Sequence, residues 1–74
     1  MKYARLGEVR KQRGKTQEEV AEFLGMMQSQ YARYETGARE LPMHHFLSLA
    51  RYYNLSLDYL SGLIDTPSTL IEGK

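Results

Sequence analysis

No cysteine occurs among the 74 residues, which excludes disulfides and thiolate metal sites as a means of stabilising the fold. No apolar run approaches the ~18 residues that a membrane-spanning helix needs, and no signal-peptide pattern opens the chain. We therefore expect no membrane partner and a cytoplasmic location. A single domain of this length buries only about 60–65% of its unfolded surface, so it depends on well-formed helices and self-association.

Catalytic and metal-binding signals are also missing. Serine, histidine and aspartate all occur, but no nucleophile-elbow sequence and no glycine-rich phosphate motif holds them. His44 and His45 are adjacent, so on a helix they point about 100° apart and cannot hold one metal ion, and no third ligand is near them in sequence. We therefore expect no cofactor, no metal site and no enzymatic activity.

Positive charge is concentrated at one end of the chain. Residues 1–15 carry six cationic side chains against one acidic one, a balance of +5, and because the whole chain is +1, residues 16–74 sum to −4. A basic end can meet a polyanion. It can equally be a solvated helix face, and charge alone leaves both interpretations open.

Helix stop signals recur at short intervals, and no useful strand-like alternation is present. Glycine and asparagine tolerate the left-handed conformation that commonly ends a helix, and the segments between them have helical periodicity. The stop residues are Gly14, Gly25, Gly37, Asn54 and Gly62. The pattern predicts an all-α fold of five helices.

Helix starts are marked as well. Thr16 is a predicted N-cap, and Glu19 three residues later completes a capping box. Pro42 suits the first turn of a helix, and Ser56 is a second predicted N-cap. The five predicted helices lie at about residues 2–13, 16–25, 25–37, 42–54 and 56–62.

The second and third predicted helices have the spacing of a helix-turn-helix unit. With Gln17 as its first position, Ala21 is fifth, Gly25 ninth and Tyr31 fifteenth. Ala21 must be small because the next helix crosses close over it. Gly25 turns the chain sharply, and Tyr31 anchors the inner side of the second helix of the unit.

Three stretches carry a family resemblance: "KTQEEVAEFLG", "YARYETGARELP" and "LARYYNLSLDYLSG". The chain resembles the Cro/cI-type (XRE family) helix-turn-helix regulators over about residues 3–63, especially the small stand-alone forms of Gram-positive bacteria and their phages. The resemblance implies a compact lambda-repressor-like domain of five helices at residues 1–63, which binds double-stranded operator DNA as a homodimer. Residues 64–74 lie outside the resemblance and are expected to be either a disordered tail or a contributor to dimerisation.

The third predicted helix presents a polar outer surface. At about 100° per residue, Tyr31 and Tyr34 fall on the inner side. The predicted base-reading residues on the outer side and its flanks are Gln28, Ser29, Gln30 and Arg33. Glutamine pairs bidentately with adenine and arginine with guanine. A solvated polar face is the alternative, but within this motif we interpret the surface as one that reads bases.

Phosphate contacts are expected around that surface. In the family, the residue that matches Gln17 contacts phosphate, and the loop that holds Arg39 and the helix start around His44 pass near the DNA backbone. Lys11 and Lys15 are further candidates, although both could simply face solvent. Such contacts fix the register of a protein on DNA but read no sequence.

Two further features follow from the resemblance. Arg10 and Glu35 stand where the family often places a contacting pair, which would orient the third helix; the alternative is two independent surface charges. Met27 stands where relatives often have a capping Ser or Thr, at a cost of about 1 kcal/mol. Either Gln28 or Ser29 caps the helix instead and shifts its start, or Met27 packs inward and phosphate or water satisfies the free N–H groups.

The sequence thus predicts a transcriptional regulator, most simply a repressor, that dimerises through the fifth helix and the end of the fourth. The predicted exposed interface residues are Leu57, Tyr59, Leu60 and Leu63. The alternative is an antitoxin-type protein that binds a toxin as well as DNA. A phage-type anti-repressor partner, or a structural DNA-binding role without regulatory output, is a third interpretation.

Overall fold

A computed structural model describes residues 3–69, and within that range it contains five α-helices and no strand. The helices are α1 Ala4–Gln12, α2 Gln17–Leu24, α3 Gln28–Thr36, α4 Met43–Tyr53 and α5 Leu57–Leu60. The predicted all-α fold with five helices is therefore confirmed. The predicted start of the first helix at Lys2 and the last five residues of the tail lie outside the described residues.

The helix ends follow the punctuation of the sequence. Thr16 Oγ1 accepts a hydrogen bond from the backbone N–H of Glu19, and the Glu19 carboxylate accepts one from the backbone N–H of Thr16, which completes the capping box. Gly25 ends α2 at φ 74° and Gly37 ends α3 at φ 88°. Both are left-handed conformations, which a residue with a Cβ adopts only at a cost.

The core forms where the inner sides of all five helices meet. Within residues 3–69, every buried residue is of a hydrophobic type, and none is charged. The buried residues are Leu6, Val9, Val20, Ala21, Tyr31, Tyr34, Leu41, Phe46, Leu49, Ala50, Tyr53, Leu55, Tyr59 and Leu60. Burial of this apolar area is the main source of stability for a chain with no covalent cross-link.

Helices α2 and α3 pack against each other more extensively than any other two helices. Ala21 is 1% exposed at their crossing, which agrees with the need for a small side chain there. The backbone N–H of Met26 returns to the carbonyl oxygen of Ala21 at 3.0 Å, so the turn between the helices is tight. This geometry is that of the predicted helix-turn-helix unit.

Residues 64–68 lie against α1 and the start of α5. The guanidinium of Arg5 donates to the carbonyl oxygen of Ile64 at 3.3 Å and to Asp65 Oδ1 at 3.0 Å. The backbone N–H of Ser56 donates to the carbonyl oxygen of Ser68 at 2.7 Å. This part of the predicted tail therefore has defined contacts with the helical body.

Two of the four predicted interface residues are not exposed, so that part of the prediction is wrong. Tyr59 is only 7% exposed and Leu60 is fully buried, because both point into the chain's own core. Neither can meet a second subunit without opening that core. Leu57 is half-buried, and Leu63 is 76% exposed, so of the four predicted interface residues these two reach the surface.

No helix within residues 3–69 combines the length and the apolar character that crossing a bilayer demands.

Candidate nucleic-acid interface

The outer surface of α3 is polar and open. Gln28, Ser29, Gln30 and Arg33 are all exposed, whereas Tyr31 is fully buried and Tyr34 is 7% exposed. The two tyrosines hold the inner side of the helix in the core, so the amide, hydroxyl and guanidinium groups opposite them face outward. The structure thus places the four predicted base-reading residues together on one accessible surface.

The start of α3 has no side-chain cap. Met27 occupies the N-cap position with an extended backbone, and no side chain accepts a hydrogen bond from the first turn. Met27 is 74% exposed, so the expectation that it packs inward is wrong. Because α3 begins at Gln28, the helix start is not shifted either. The carbonyl oxygen of Met27 already accepts from the backbone N–H groups of Gln30 and Tyr31. Among residues 3–69, the N–H groups of the first turn without an acceptor are therefore those of Gln28 and Ser29.

A shallow groove runs beside the outer surface of α3. Its lining brings predicted base-reading residues and a predicted phosphate-binding residue together. The lining residues are Met27, Ser29, Gln30, Arg33, Tyr34 and Arg39. The backbone N–H of Arg39 donates to the carbonyl oxygen of Arg33 at 3.2 Å, which folds the loop after Gly37 back toward α3. Two guanidinium groups therefore border the same groove.

Arg10 and Glu35, the predicted ion pair, are in contact. Arg10 Nε lies 2.7 Å from Glu35 Oε2, and Arg10 Nη2 donates to Glu35 Oε1 at 3.3 Å. The two side chains are 11% and 9% exposed. Arg10 Nη1 also donates to the carbonyl oxygen of Lys15 at 2.9 Å. The pair ties the end of α1, the loop after it and the last turn of α3 into one unit.

Burial and hydrogen bonding act in opposite directions on Glu35. Burial raises the pKa of its carboxyl group, but the hydrogen bonds from Arg10 and Gln17 lower that pKa by more, and the net pKa lies below its ordinary value. The hydrogen bond to Glu35 also raises the pKa of Arg10. The two groups are therefore ionised together at neutral pH.

Gln17 connects this ion pair to α3. Its Nε2 donates to Glu35 Oε1 at 3.0 Å, and its Oε1 accepts from Gln28 Nε2 at 2.6 Å. Gln17 was predicted as a phosphate-binding residue only. The side-chain link from Gln17 to Gln28 was not predicted, because the partners of a glutamine amide depend on tertiary placement. The presence of glutamine at the first position of both α2 and α3 is the one signal that points to it.

The remaining predicted phosphate-binding residues are dispersed. Lys11 is exposed and lines a separate depression beside Gly7 and Thr36. Lys15 Nζ lies 5.6 Å from the centroid of the Tyr52 ring, on the side of α4. His44 is exposed in the first turn of α4. The structure therefore brings Gln17 and Arg39 close to the predicted reading surface by direct contacts, but gives no such contact for the other three.

The two histidine rings lie closer together than we expected for adjacent helix positions, whose side chains point about 100° apart. The ring centroids of His44 and His45 are 4.1 Å apart. Burial, and then the neighbouring His44, lower the pKa of His45. Within the part of the chain that the structure describes, no group of three or more His, Asp or Glu side chains is placed to hold a metal ion.

The fold and this surface define the class of the protein. A family model described as Helix-turn-helix matches residues 6–60, so the chain belongs to the helix-turn-helix family. This match and the similarity to two HTH-type transcriptional regulators confirm the resemblance to XRE-type regulators that the sequence carries. The domain therefore belongs to a family of transcriptional regulators and not to a family of enzymes.

Two similar curated proteins come from Bacillus subtilis strain 168. The uncharacterized HTH-type transcriptional regulator YobD is 39% identical over 70 residues, which cover 95% of this chain and 62% of YobD. The HTH-type transcriptional regulator ImmR is 40% identical over 58 residues, which cover 78% of this chain and 46% of ImmR. The chain therefore spans less than two thirds of the length of either relative. No solved structure matches it with statistical significance.

Proposed function

We propose that this chain is a sequence-specific regulator of transcription that binds double-stranded operator DNA as a homodimer, with α3 in the major groove, and acts as a repressor. The observation that carries the proposal is the outer surface of α3, where four hydrogen-bonding side chains project from a helix whose opposite side is fixed in the core. A helix of this kind fits the width of the major groove. The names of both relatives support a role in transcription.

Gln30 and Arg33 are proposed as the principal base-reading residues. Both line the groove beside α3 and are exposed, and their amide and guanidinium groups match the edges of adenine and guanine. Gln28 and Ser29 complete the reading surface near the start of the helix. Together these four residues would read one half-site.

Phosphate groups are proposed to bind on both sides of the reading surface. Arg39 borders the groove from the loop after α3. The uncapped N–H groups of Gln28 and Ser29 stand at the positive end of α3 and favour an anion. Gln17, at the first position of α2, keeps one Nε2 hydrogen for phosphate beyond the one it gives to Glu35. Such contacts would set the position of α3 in the groove.

Dimerisation is proposed to use the end of α5 and the residues after it. Leu63 is 76% and Ile64 38% exposed, and Leu57, the first residue of α5, is half-buried. One helix-turn-helix unit contacts too little DNA for high specificity, so a second copy is needed to read a two-fold symmetric site. Its two α3 helices would then enter successive major grooves about 34 Å apart.

Fluorescence anisotropy with fragments of genomic DNA tests the proposal. We expect tight binding to a subset of fragments, a steep fall in affinity as salt rises, and a dimer by analytical ultracentrifugation. Arg33→Ala is the site variant, and Arg51→Ala, on an exposed position of α4, is the matched control. Binding that is equal for all fragments would overturn the proposal. A stable complex with a second protein in place of a dimer would favour the antitoxin alternative.

A further inference from the structure

Met27 places an exposed apolar side chain beside the polar surface of α3. It occupies the N-cap position of that helix and is 74% exposed. It lines the groove that holds Gln30 and Arg33. It also lines a second groove, on the α2 side, together with Gln28 and Glu22. DNA that binds to α3 in the proposed manner therefore covers Met27.

The thioether of an exposed methionine reacts with peroxides. A sulfur lone pair attacks one oxygen of hydrogen peroxide, an S–O bond forms as the O–O bond breaks, and the second oxygen leaves as water. The sulfur is oxidised by two electrons and the peroxide is reduced by two. Within residues 3–69, Met27 and Met43 are the exposed methionines, at 74% and 63%, whereas Met26 packs against the core. Met43 lines neither of the two grooves beside α3.

Oxidation converts this apolar side chain into a polar one. The sulfoxide oxygen carries a partial negative charge and accepts hydrogen bonds, whereas the thioether is only a weak acceptor. Among the described residues, the nearby backbone N–H groups of Gln28 and Ser29 have no acceptor, and these are the groups proposed to bind phosphate. A sulfoxide oxygen beside them competes with the phosphate for these donors and repels its charge. Oxidation of Met27 therefore opposes the binding of DNA.

We propose that Met27 is a site of reversible oxidation by peroxides and that its sulfoxide form weakens the binding of DNA to α3. The inference rests on the proposed DNA-binding function. Methionine sulfoxide reductases remove the added oxygen, so the loss of affinity is reversible. Because bound DNA covers Met27, it also excludes the oxidant from the sulfur.

Tandem mass spectrometry of peptides from peroxide-treated protein locates the oxidised methionines without any measurement of affinity. In the free protein we expect Met27 and Met43 to be oxidised faster than Met26. In a complex with an operator selected from a random DNA library, Met27 should be oxidised more slowly than in the free protein. Resistance of Met27 to peroxide in the free protein, or equal oxidation with and without bound DNA, would overturn the proposal.

Met27→Leu is the variant that tests the effect on affinity, and Met43→Leu is the matched control. Each removes one exposed sulfur and keeps an apolar side chain of similar size. Fluorescence anisotropy with the selected operator is measured before peroxide, after peroxide and after treatment with methionine sulfoxide reductases. The parent and Met43→Leu should each lose about fivefold or more of their own initial affinity and regain it after reduction. Met27→Leu should keep the affinity that it had before peroxide.

The outcomes separate this inference from the function on which it rests. Circular dichroism of each oxidised sample first shows that the helices are intact. An equal loss of affinity in Met27→Leu and in the parent, or no loss in a parent whose Met27 is fully oxidised, overturns the role of Met27 alone. A parent that prefers no DNA sequence before peroxide is added overturns the DNA-binding function, and this inference with it.

Discussion

Arg10 Nε lies 2.7 Å from Glu35 Oε2, and this contact fastens the last turn of α1 to the last turn of the helix proposed to read DNA. Glu35→Ala should therefore destabilise the fold, because it leaves the Arg10 guanidinium poorly exposed and without its carboxylate. Loss of one partner of a fully buried pair costs about 3–5 kcal/mol, and we expect about 2–3 kcal/mol here because both groups keep some contact with solvent. Urea unfolding measures the change. Glu22→Ala, at an exposed position of α2, is the control and should have little effect; an equal loss in both variants would contradict this account.

Acid should remove part of the stability through the same carboxylate. Burial raises the pKa of Glu35, but its hydrogen bonds lower that pKa by a larger amount. The pKa of Glu35 in the folded protein therefore lies below the ordinary value of 4.5. The unfolded chain then binds a proton at a higher pH than the folded chain does. The contribution is complete above pH 4.5 and is lost as the pH falls through the lower folded pKa. Unfolding free energies measured from pH 7 to pH 3 should show this loss, and Glu35→Gln should show less of it. An identical pH profile in Glu35→Gln would assign the acid sensitivity to other groups.

Because α3 has no side-chain cap at its start, we expect that adding one would stabilise the protein. Met27→Ser places a hydroxyl at an exposed N-cap position whose backbone is already extended, so it should accept a hydrogen bond from the first turn and raise the unfolding free energy by about 0.5–1 kcal/mol. Thermal or urea unfolding provides the measurement. Met43→Ser removes a methionine that is also exposed, but at the first position of α4 and not at its N-cap. That control should show no comparable gain, and a similar gain in both would attribute the effect to lost surface hydrophobicity.

Much of the fold was predictable because its signals are local. The capping box needs only Thr16 and Glu19, and Gly25 and Gly37 end their helices because their own backbone must be left-handed. The placement of Tyr59 and Leu60 was not predictable, since α5 is four residues long and so short a helix has no periodicity to separate an inner from an outer side. Apolar residues there fit a core and a dimer interface equally well.

The candidate site, like the fold, was predictable only where its signals are local. The exposed side chains of α3 follow from helical geometry once Tyr31 and Tyr34 are assigned to the core. The hydrogen bonds of Gln17 to Glu35 and Gln28 do not, because they join residues 18 and 11 positions apart in the sequence. Long-range polar contacts of this kind depend on how α2 and α3 pack against each other, and no local pattern encodes them.

Arg5 should hold residues 64–68 against the helical body. Its guanidinium lies 4.2 Å from the centroid of the Tyr59 ring and donates to the carbonyl oxygen of Ile64 and to Asp65. Arg5→Ala removes these contacts, and we expect a loss of about 1–2 kcal/mol together with faster proteolytic cleavage after residue 61. Limited proteolysis followed by mass spectrometry locates the cut. Arg51→Ala is the control, and unchanged cleavage in Arg5→Ala would show that other contacts hold the segment.

The most direct test of the central claim is selection of bound sequences from a random DNA library, with the parent beside Gln30→Ala and Arg33→Ala. The account predicts that the parent enriches a two-fold symmetric site with half-sites about one helical turn apart. Each variant should lose about 1–3 kcal/mol of preference at one defined base of the half-site and keep the others. Enrichment of no sequence by the parent, or identical preferences in the parent and both variants, would contradict it.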